Sequence, residues 1–273
     1  MIFWVASYPK SGNTWLRALL ASYYYSKDGT FDQKLLKKIE QFPQKKNFSN
    51  FDYDQKIVTD TSRFWIKAQE LINLDKKLKF FKTHNILGGL NGNQFTNTKN
   101  TIGCIYIVRD PRNVITSLKN HFEMNDIDAL EFMLNKNKYT YNYHVENDYS
   151  DFQFISSWEN NYKSWRNQKN IPVKFIKYED LYFKTYEIFK DLIEFYNLVN
   201  YIFDISLKLG SPARDNDVKN LRNEILTALS NKATFAELVP LFFTNANTAI
   251  DWVHKDLFEI KGNLKKAVEE MKK

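Results

Sequence analysis

The densest run of chemistry-bearing side chains is Ser7-Tyr8-Pro9-Lys10-Ser11-Gly12-Asn13-Thr14-Trp15. It lies between an apolar run, Ile2–Ala6, which reads as a buried strand, and Asn13–Tyr25, whose Leu16, Leu19 and Leu20 share a helical face. A strand that turns sharply into a helix aims that helix's free N–H groups and positive end at whatever occupies the turn, which makes an anion site. Lys10 adds a full charge, Ser11, Asn13 and Thr14 add donors, and Gly12 lets the backbone approach a ligand closely. The order is not that of a Walker A loop, because Lys10 precedes the glycine and no Gly-Lys-Ser/Thr ending follows. The same residues would also serve as the polar cap of an ordinary strand–turn–helix.

A second group is Arg109-Asp110-Pro111-Arg112-Asn113, continuing to Ser117. Asp110 suits an N-cap and Pro111 the first helical position. Ser117 then lies about two turns along and faces roughly the same side as the helix start. Arg109, at a strand end, can fork onto a phosphate that Ser117 also reaches. The bland alternatives are a surface ion pair for Arg109 and a helix-backbone bond for Ser117. A third group, Lys82-Thr83-His84, also ends a strand. Ligands of open α/β sheets bind outside the carboxyl ends of the strands, so these three groups can edge one crevice. A histidine there, beside two anion sites, is a candidate general base.

The elements that must position these groups follow from periodicity. Leu78–Thr83, Ile102–Val108 and Val173–Tyr178 read as strands, the second being continuous, β-branched and so buried on both faces. Helices are expected from Pro111, over Phe152–Asn167 and over Glu179–Tyr196. Residues 28–62 read as irregular, 88–101 as loop, 123–150 as mixed, and the chain beyond about 205 as helical but less legible. Strands alternating with helices predict a three-layer, doubly wound α/β fold with a mainly parallel sheet, in one domain over 1–273.

Composition narrows the partners. A net charge of +7 favours anionic ligands, but the basic residues are dispersed rather than clustered, which argues against nucleic acid. Cys104, the lone cysteine, sits in an apolar run, reads as core and points to a reducing compartment. The opening apolar stretch is too short for a signal segment, and no run approaches the roughly 20 apolar residues that span a bilayer, so a cytoplasmic location is expected.

Taken jointly, the motifs resemble those of sulfotransferases that use 3′-phosphoadenosine 5′-phosphosulfate (PAPS). Tyr8–Trp15 is similar to their 5′-phosphosulfate motif, and Arg109 through Ser117 to their 3′-phosphate motif. Lys82-Thr83-His84 resembles the segment with their catalytic histidine, and Val173–Asp180 the strand whose tyrosine meets adenine. The resemblance covers about residues 2–190 and implies a P-loop-like fold. It assigns Lys10, Ser11, Gly12, Asn13 and Thr14 to the phosphosulfate, Trp15 and Tyr178 to adenine, and Arg109 and Ser117 to the 3′-phosphate. His84 would take the acceptor's proton, Lys10 and Lys82 would meet charge on the bridging oxygen, and no metal is implied. The acceptor would be a small molecule, glycan or lipid carrying a hydroxyl or amine. Aromatics between 122 and 152, among them Phe122, Phe132, Tyr139, Tyr141, Tyr143, Tyr149 and Phe152, are candidate pocket residues or plain packing.

The C-terminal part departs from the pattern. The family's basic Arg-Lys-Gly loop precedes a Gly-Asp-Trp segment, whereas here Asp251-Trp252 follows Thr244–Ile250, which holds no basic residue, and Lys261-Gly262 comes later. An impaired nucleotide-binding homologue and a nucleotide-dependent phosphotransferase are the competing readings. The missing Walker order weighs against the second.

Overall fold

The computed structural model describes residues 1–142, 145–194, 215–230 and scattered positions between 241 and 262. The chain divides into two compact units, Met1–Thr185 and Tyr186–Lys273.

The first unit is built on a five-stranded sheet flanked by helices. Its strands are β1 (Ile2–Ser7), β2 (Glu40–Gln41), β3 (Lys79–Thr83), β6 (Thr101–Val108) and β9 (Val173–Lys177), in the order β2-β3-β1-β6-β9. Every pairing is parallel. All five carboxyl ends therefore lie along one edge. The chain leaves β1 to reach β3 on one side and β6 on the other, so β1 sits at the switch point where such sheets take ligands. Two small antiparallel pairs complete the strands: β4 (Gly89–Leu90) with β5 (Asn93–Gln94), and β7 (Tyr139–Thr140) with β8 (Gln153–Phe154). The helices are α1 (Asn13–Tyr25), α2 (Trp65–Ile72), α3 (Pro111–Phe122), α4 (Asp126–Leu134), α5 (Trp158–Asn167) and α6 (Tyr178–Phe183).

Packing explains why β1 and β6 are mostly apolar and buried at all but the last position of β6. Ile2, Trp4 and Ala6 join Cys104, Tyr106, Phe81 and Val173 in one buried cluster. A second cluster, with Val114 and Leu118 of α3 and Ala129, Phe132 and Met133 of α4, contains Tyr8 just beyond β1. Trp4 donates its indole N–H to Thr101 Oγ1 at 2.8 Å, so the buried polar group is satisfied. Cys104 is buried as expected.

Several boundaries differ from the sequence expectation. Residues 152–157 are not helical. Gln153–Phe154 form β8, Ser156 has φ 56°, and Ser157 caps α5 through its hydroxyl, which accepts from Asn160 N–H. Tyr178 opens α6 rather than ending β9, with Lys177 as the N-cap. The helix expected over Glu179–Tyr196 breaks at Lys184, resumes over 185–194, and its last positions lie outside the described residues. The irregular stretch contains the edge strand β2, and the mixed stretch contains α4.

In the second unit, α7 (Asp215–Ser230) buries Val218, Arg222 and Ile225. Asn245 donates to Leu221 O at 3.1 Å and to Glu224 Oε2 at 2.9 Å. Residues 251–253 and 261–262 are helical, and several positions between Thr244 and Gly262 lie outside the described residues. Among the described residues, no helix is long and apolar enough to cross a membrane.

Candidate active site

A cavity of about 1240 Å³ opens at the carboxyl edge of the sheet, lined along one side by Lys10, Gly12, Asn13, Thr14, Trp15, Arg109, Ser117 and Tyr178. Lys82 and His84 also line it. Of the residues assigned to the donor or to catalysis from sequence, Ser11 alone is absent from the wall. It is buried, and its hydroxyl has no partner among the described residues. The volume exceeds the 300–1,000 Å³ common for one small ligand, so two reactants have room.

The turn after β1 is held open by backbone geometry. Lys10 (φ 65°) and Gly12 (φ 95°) are both left-handed. A Cβ on Gly12 would lie 2.4 Å from Tyr178 Cδ2, so glycine is required there for shape as well as for conformation. Asn13 ties the turn back to β1, donating to Val5 O at 2.9 Å and Ser7 Oγ at 3.3 Å. No side chain caps α1, so its first N–H groups face the turn without a side-chain acceptor.

Arg109 crosses beneath this turn. Its Nη1 donates to Lys10 O at 3.0 Å, and its guanidinium lies 4.4 Å from the centroid of Tyr178. Arg109 Nε is buried without a hydrogen-bond partner among the described residues. Tyr178 and Tyr182 are stacked at 6.4 Å, and Trp15 meets both edge-on at 6.0 and 5.6 Å. Trp15 and Tyr178 thus line the cavity beside Gly12, and Tyr182, 57% exposed, packs against both. Sequence reasoning missed Tyr182. Its signal was the one-turn spacing from Tyr178 on α6.

His84 is fixed from three directions. Its N–H donates to Gln153 Oε1 at 2.7 Å, and its carbonyl accepts from Asn161 Nδ2 at 2.9 Å. Its ring Nδ1 lies 2.7 Å from Ser7 O. A carbonyl only accepts, so Nδ1 carries the proton and the neutral ring keeps its lone pair on Nε2. Burial, then the Lys82 charge, holds the imidazole well below the usual histidine range, against the opposing hydrogen bond to Ser7 O. The neutral ring is therefore the resting form.

Among the described residues, Lys10, Lys82 and Arg109 make no salt bridge, and Asp151 acts on Lys82 only at longer range. Burial and, next, the neighbouring Arg109 lower the Lys10 pKa. Burial, with a further contribution from Arg17, lowers that of Lys82 to about 7, while Asp151 opposes the shift. Lys82 Nζ donates to Gln41 Oε1 at 2.7 Å. Two depressed lysines beside an uncapped helix start are what a multiply charged anion would satisfy.

Further wall residues that sequence reasoning did not single out include Gln41 and Gln44 near β2, His121 at the end of α3, and Thr140, Asn142, Asp151 and Gln153 around β7 and β8. Of the aromatic candidates, Phe122 and Tyr141 line the cavity. Phe132 and Phe152 are core, Tyr139 is exposed at 37%, and Tyr143 lies outside the described residues.

A sulfotransferase domain model matches residues 2–211. No curated protein matches the sequence. Among solved structures the chain is similar to retinol dehydratase in a complex with retinol and PAP, at 16% identity and a TM-score of 0.34, covering 86% of this chain and 65% of that one. The chain thus spans less than two thirds of that protein's length.

Proposed function

Because the chain belongs to the sulfotransferase domain family, we propose that it moves a sulfuryl group from PAPS to a hydroxyl acceptor, with His84 as general base. The observation that carries this reading is the bond from His84 Nδ1–H to Ser7 O. It leaves the lone pair on Nε2, in a residue that lines the same cavity as Lys10, Arg109 and Ser117.

The residues suit the donor by charge and shape. Lys10, the uncapped start of α1, Asn13 and Thr14 would receive the phosphosulfate, with Ser11 supporting the turn from behind. Arg109 and Ser117 would hold the 3′-phosphate, and the Trp15 and Tyr178 rings, backed by Tyr182, would take adenine. As the acceptor oxygen bonds to sulfur, its proton passes to Nε2 and the bond from sulfur to the 5′-phosphate oxygen breaks. The leaving oxygen gains negative charge beside Lys10 and Lys82, so their attraction is stronger in the transition state than in the ground state. The products are a sulfate ester and 3′,5′-ADP, and the imidazolium, already disfavoured by burial and Lys82, returns its proton to solvent.

Calorimetry with 3′,5′-ADP and ADP tests the donor assignment. Two charge-assisted bonds to the 3′-phosphate, each about 1.5–3 kcal/mol, predict at least a roughly hundredfold preference for 3′,5′-ADP. Equal affinities would remove Arg109 and Ser117 from that role and the sulfotransfer reading with them.

A further inference from the structure

We propose that the acceptor is a neutral, hydroxyl-rich molecule of carbohydrate type, held beside His84 by Asp151 and Gln153. The proposal rests on the sulfotransfer reading above and adds the substrate class.

Asp151 puts a carboxylate on the wall of the reaction cavity, half-buried and only partly used. Its Oδ1 accepts the Asn142 N–H at 3.2 Å, its own backbone N–H and the Lys82 charge also act on the carboxylate, and no side chain hydrogen-bonds it among the described residues. Gln153 is 4% exposed, lines the same cavity, and spends its Oε1 on the His84 N–H at 2.7 Å. Its amide N–H₂ has no protein acceptor among the described residues and is not sealed from the cavity. The Thr140 hydroxyl and the Lys82 ammonium border the same space.

This donor and acceptor set selects a class. A phenol or alkyl alcohol brings one hydroxyl, which the reaction itself uses. The rest of such a ligand would strip water from the Asp151 carboxylate and the Gln153 amide and return nothing. A sugar brings O–H donors for the carboxylate and oxygens for the amide and the ammonium, and its C–H faces suit the rings of Phe122 and Tyr141. An anionic acceptor would be repelled by Asp151. An ammonium would meet Lys82, whose charge reaches both Asp151 and His84. A neutral polyol meets neither objection.

The position of Gln153 links recognition to chemistry. One end of its side chain fixes the backbone of His84 and the other is offered to the acceptor, so a bound hydroxyl is registered against the base. Sites built around a substrate hydroxyl reject analogues that lack it far more strongly than apolar pockets reject an extra group.

The test uses the whole protein with labelled PAPS and two acceptor sets. One set is methyl mannoside, N-acetylglucosamine, trehalose and maltotriose; the other is 2-naphthol, dodecan-1-ol and tyramine. The expected result is sulfation of at least one saccharide with kcat/KM about tenfold or more above every member of the second set. Asp151→Asn keeps an oxygen for the Asn142 N–H but loses the charge. It should raise the saccharide KM roughly ten- to a hundredfold, with kcat changed less and 3′,5′-ADP affinity within about twofold. Preferred transfer to the second set, saccharide kinetics indifferent to Asp151→Asn, or no saccharide sulfated by protein that binds 3′,5′-ADP, overturns this proposal alone. Failure to prefer 3′,5′-ADP over ADP overturns the sulfotransfer reading instead.

Discussion

Donor binding should draw a proton from solvent, and Lys82 is its destination. In the free protein burial lowers the Lys82 pKa from the usual 10.5 to about 7. Its Nζ hydrogen bond goes to an uncharged amide, Gln41 Oε1, at 2.7 Å. At pH 8 a group of that pKa is protonated in about one molecule in eleven. A phosphosulfate or 5′-phosphate in the cavity supplies the missing negative charge and moves the pKa back towards its ordinary range. Binding at pH 8 should then take up about 0.9 proton, falling to about 0.1 at pH 6, where Lys82 is already charged. Calorimetric titration of 3′,5′-ADP in HEPES and in Tris, which differ in ionisation enthalpy, reads this number directly. Affinity should tighten as pH falls from 9 to 7. Lys82→Met should abolish both effects. The same shift sets the sign for stability. The folded pKa lies below the unfolded one, so the unfolded chain binds the extra proton between about pH 7 and 10.5, and the stability of the free protein rises with pH across that window. Lys82→Met should therefore melt higher than the parent at pH 7 while binding donor more weakly. Equal enthalpies in the two buffers would refute the reasoning. Uptake that persists in Lys82→Met would transfer it to Lys10.

Three further outcomes are expected. His84→Asn keeps an N–H for Ser7 O but has no basic nitrogen, so turnover should fall roughly 10²–10⁴-fold with 3′,5′-ADP affinity and melting temperature nearly intact, whereas near-normal turnover would make His84 a structural residue. His84 is held neutral when folded and is free to take a proton below about pH 6.5 when unfolded, so the parent should lose stability relative to His84→Asn as pH falls below that value, as thermal melts from pH 7 to pH 5 would record. Gly12→Ala forces a Cβ to within 2.4 Å of Tyr178 and leaves φ near 95°, which costs about 1–2 kcal/mol from the backbone alone and displaces the ring proposed to meet adenine. A lower melting point and weaker 3′,5′-ADP binding should appear together, and neither change appearing would contradict the packing described.

The half of the cavity wall assigned to the proposed donor was legible because it is local. Lys10 to Trp15, and Arg109 to Ser117, each carry their own strand end, turn and helix start within one stretch of sequence. His84 was legible because β3 ends beside it. The other half was not, because distant partners create it. β2 is two residues long and exists only through its register with Phe81 and Lys82, so nothing local marks Gln41. Asp151 and Gln153 reach the cavity through β7 and β8, whose strands are equally short. The helix α4 was hidden by a misleading pattern. Its buried side is Ala129, Phe132 and Met133, yet Ile127, Leu130 and Leu134 are exposed at 77%, 47% and 64%, so the apolar residues mark no single face. The helix expected from Phe152 failed for a different reason: β8 lies beside β7, and that pairing overrides local preference.

The two walls of the cavity differ in how freely they can be rebuilt. The residues facing the proposed donor are rooted in a sheet whose strands are buried along most of their length, and moving one of them disturbs the core. Thr140, Asn142, Asp151 and Gln153 lie on or beside a two-rung ladder. That stretch is tethered to the body by the Lys45–Asp148 ion pair at 2.7 Å and by the Tyr149 N–H to Gln55 O bond at 2.7 Å. Tethers of this kind hold position without dictating which side chains they present. For protein engineering this separates what is handed over from what receives it. A library confined to residues 140–142 and 151 would vary the recipient while the Ser7–Trp15 turn, Arg109, Ser117 and the Gln153 bond to His84 stayed untouched, and the same division gives natural selection a place to diversify this scaffold without relearning its chemistry.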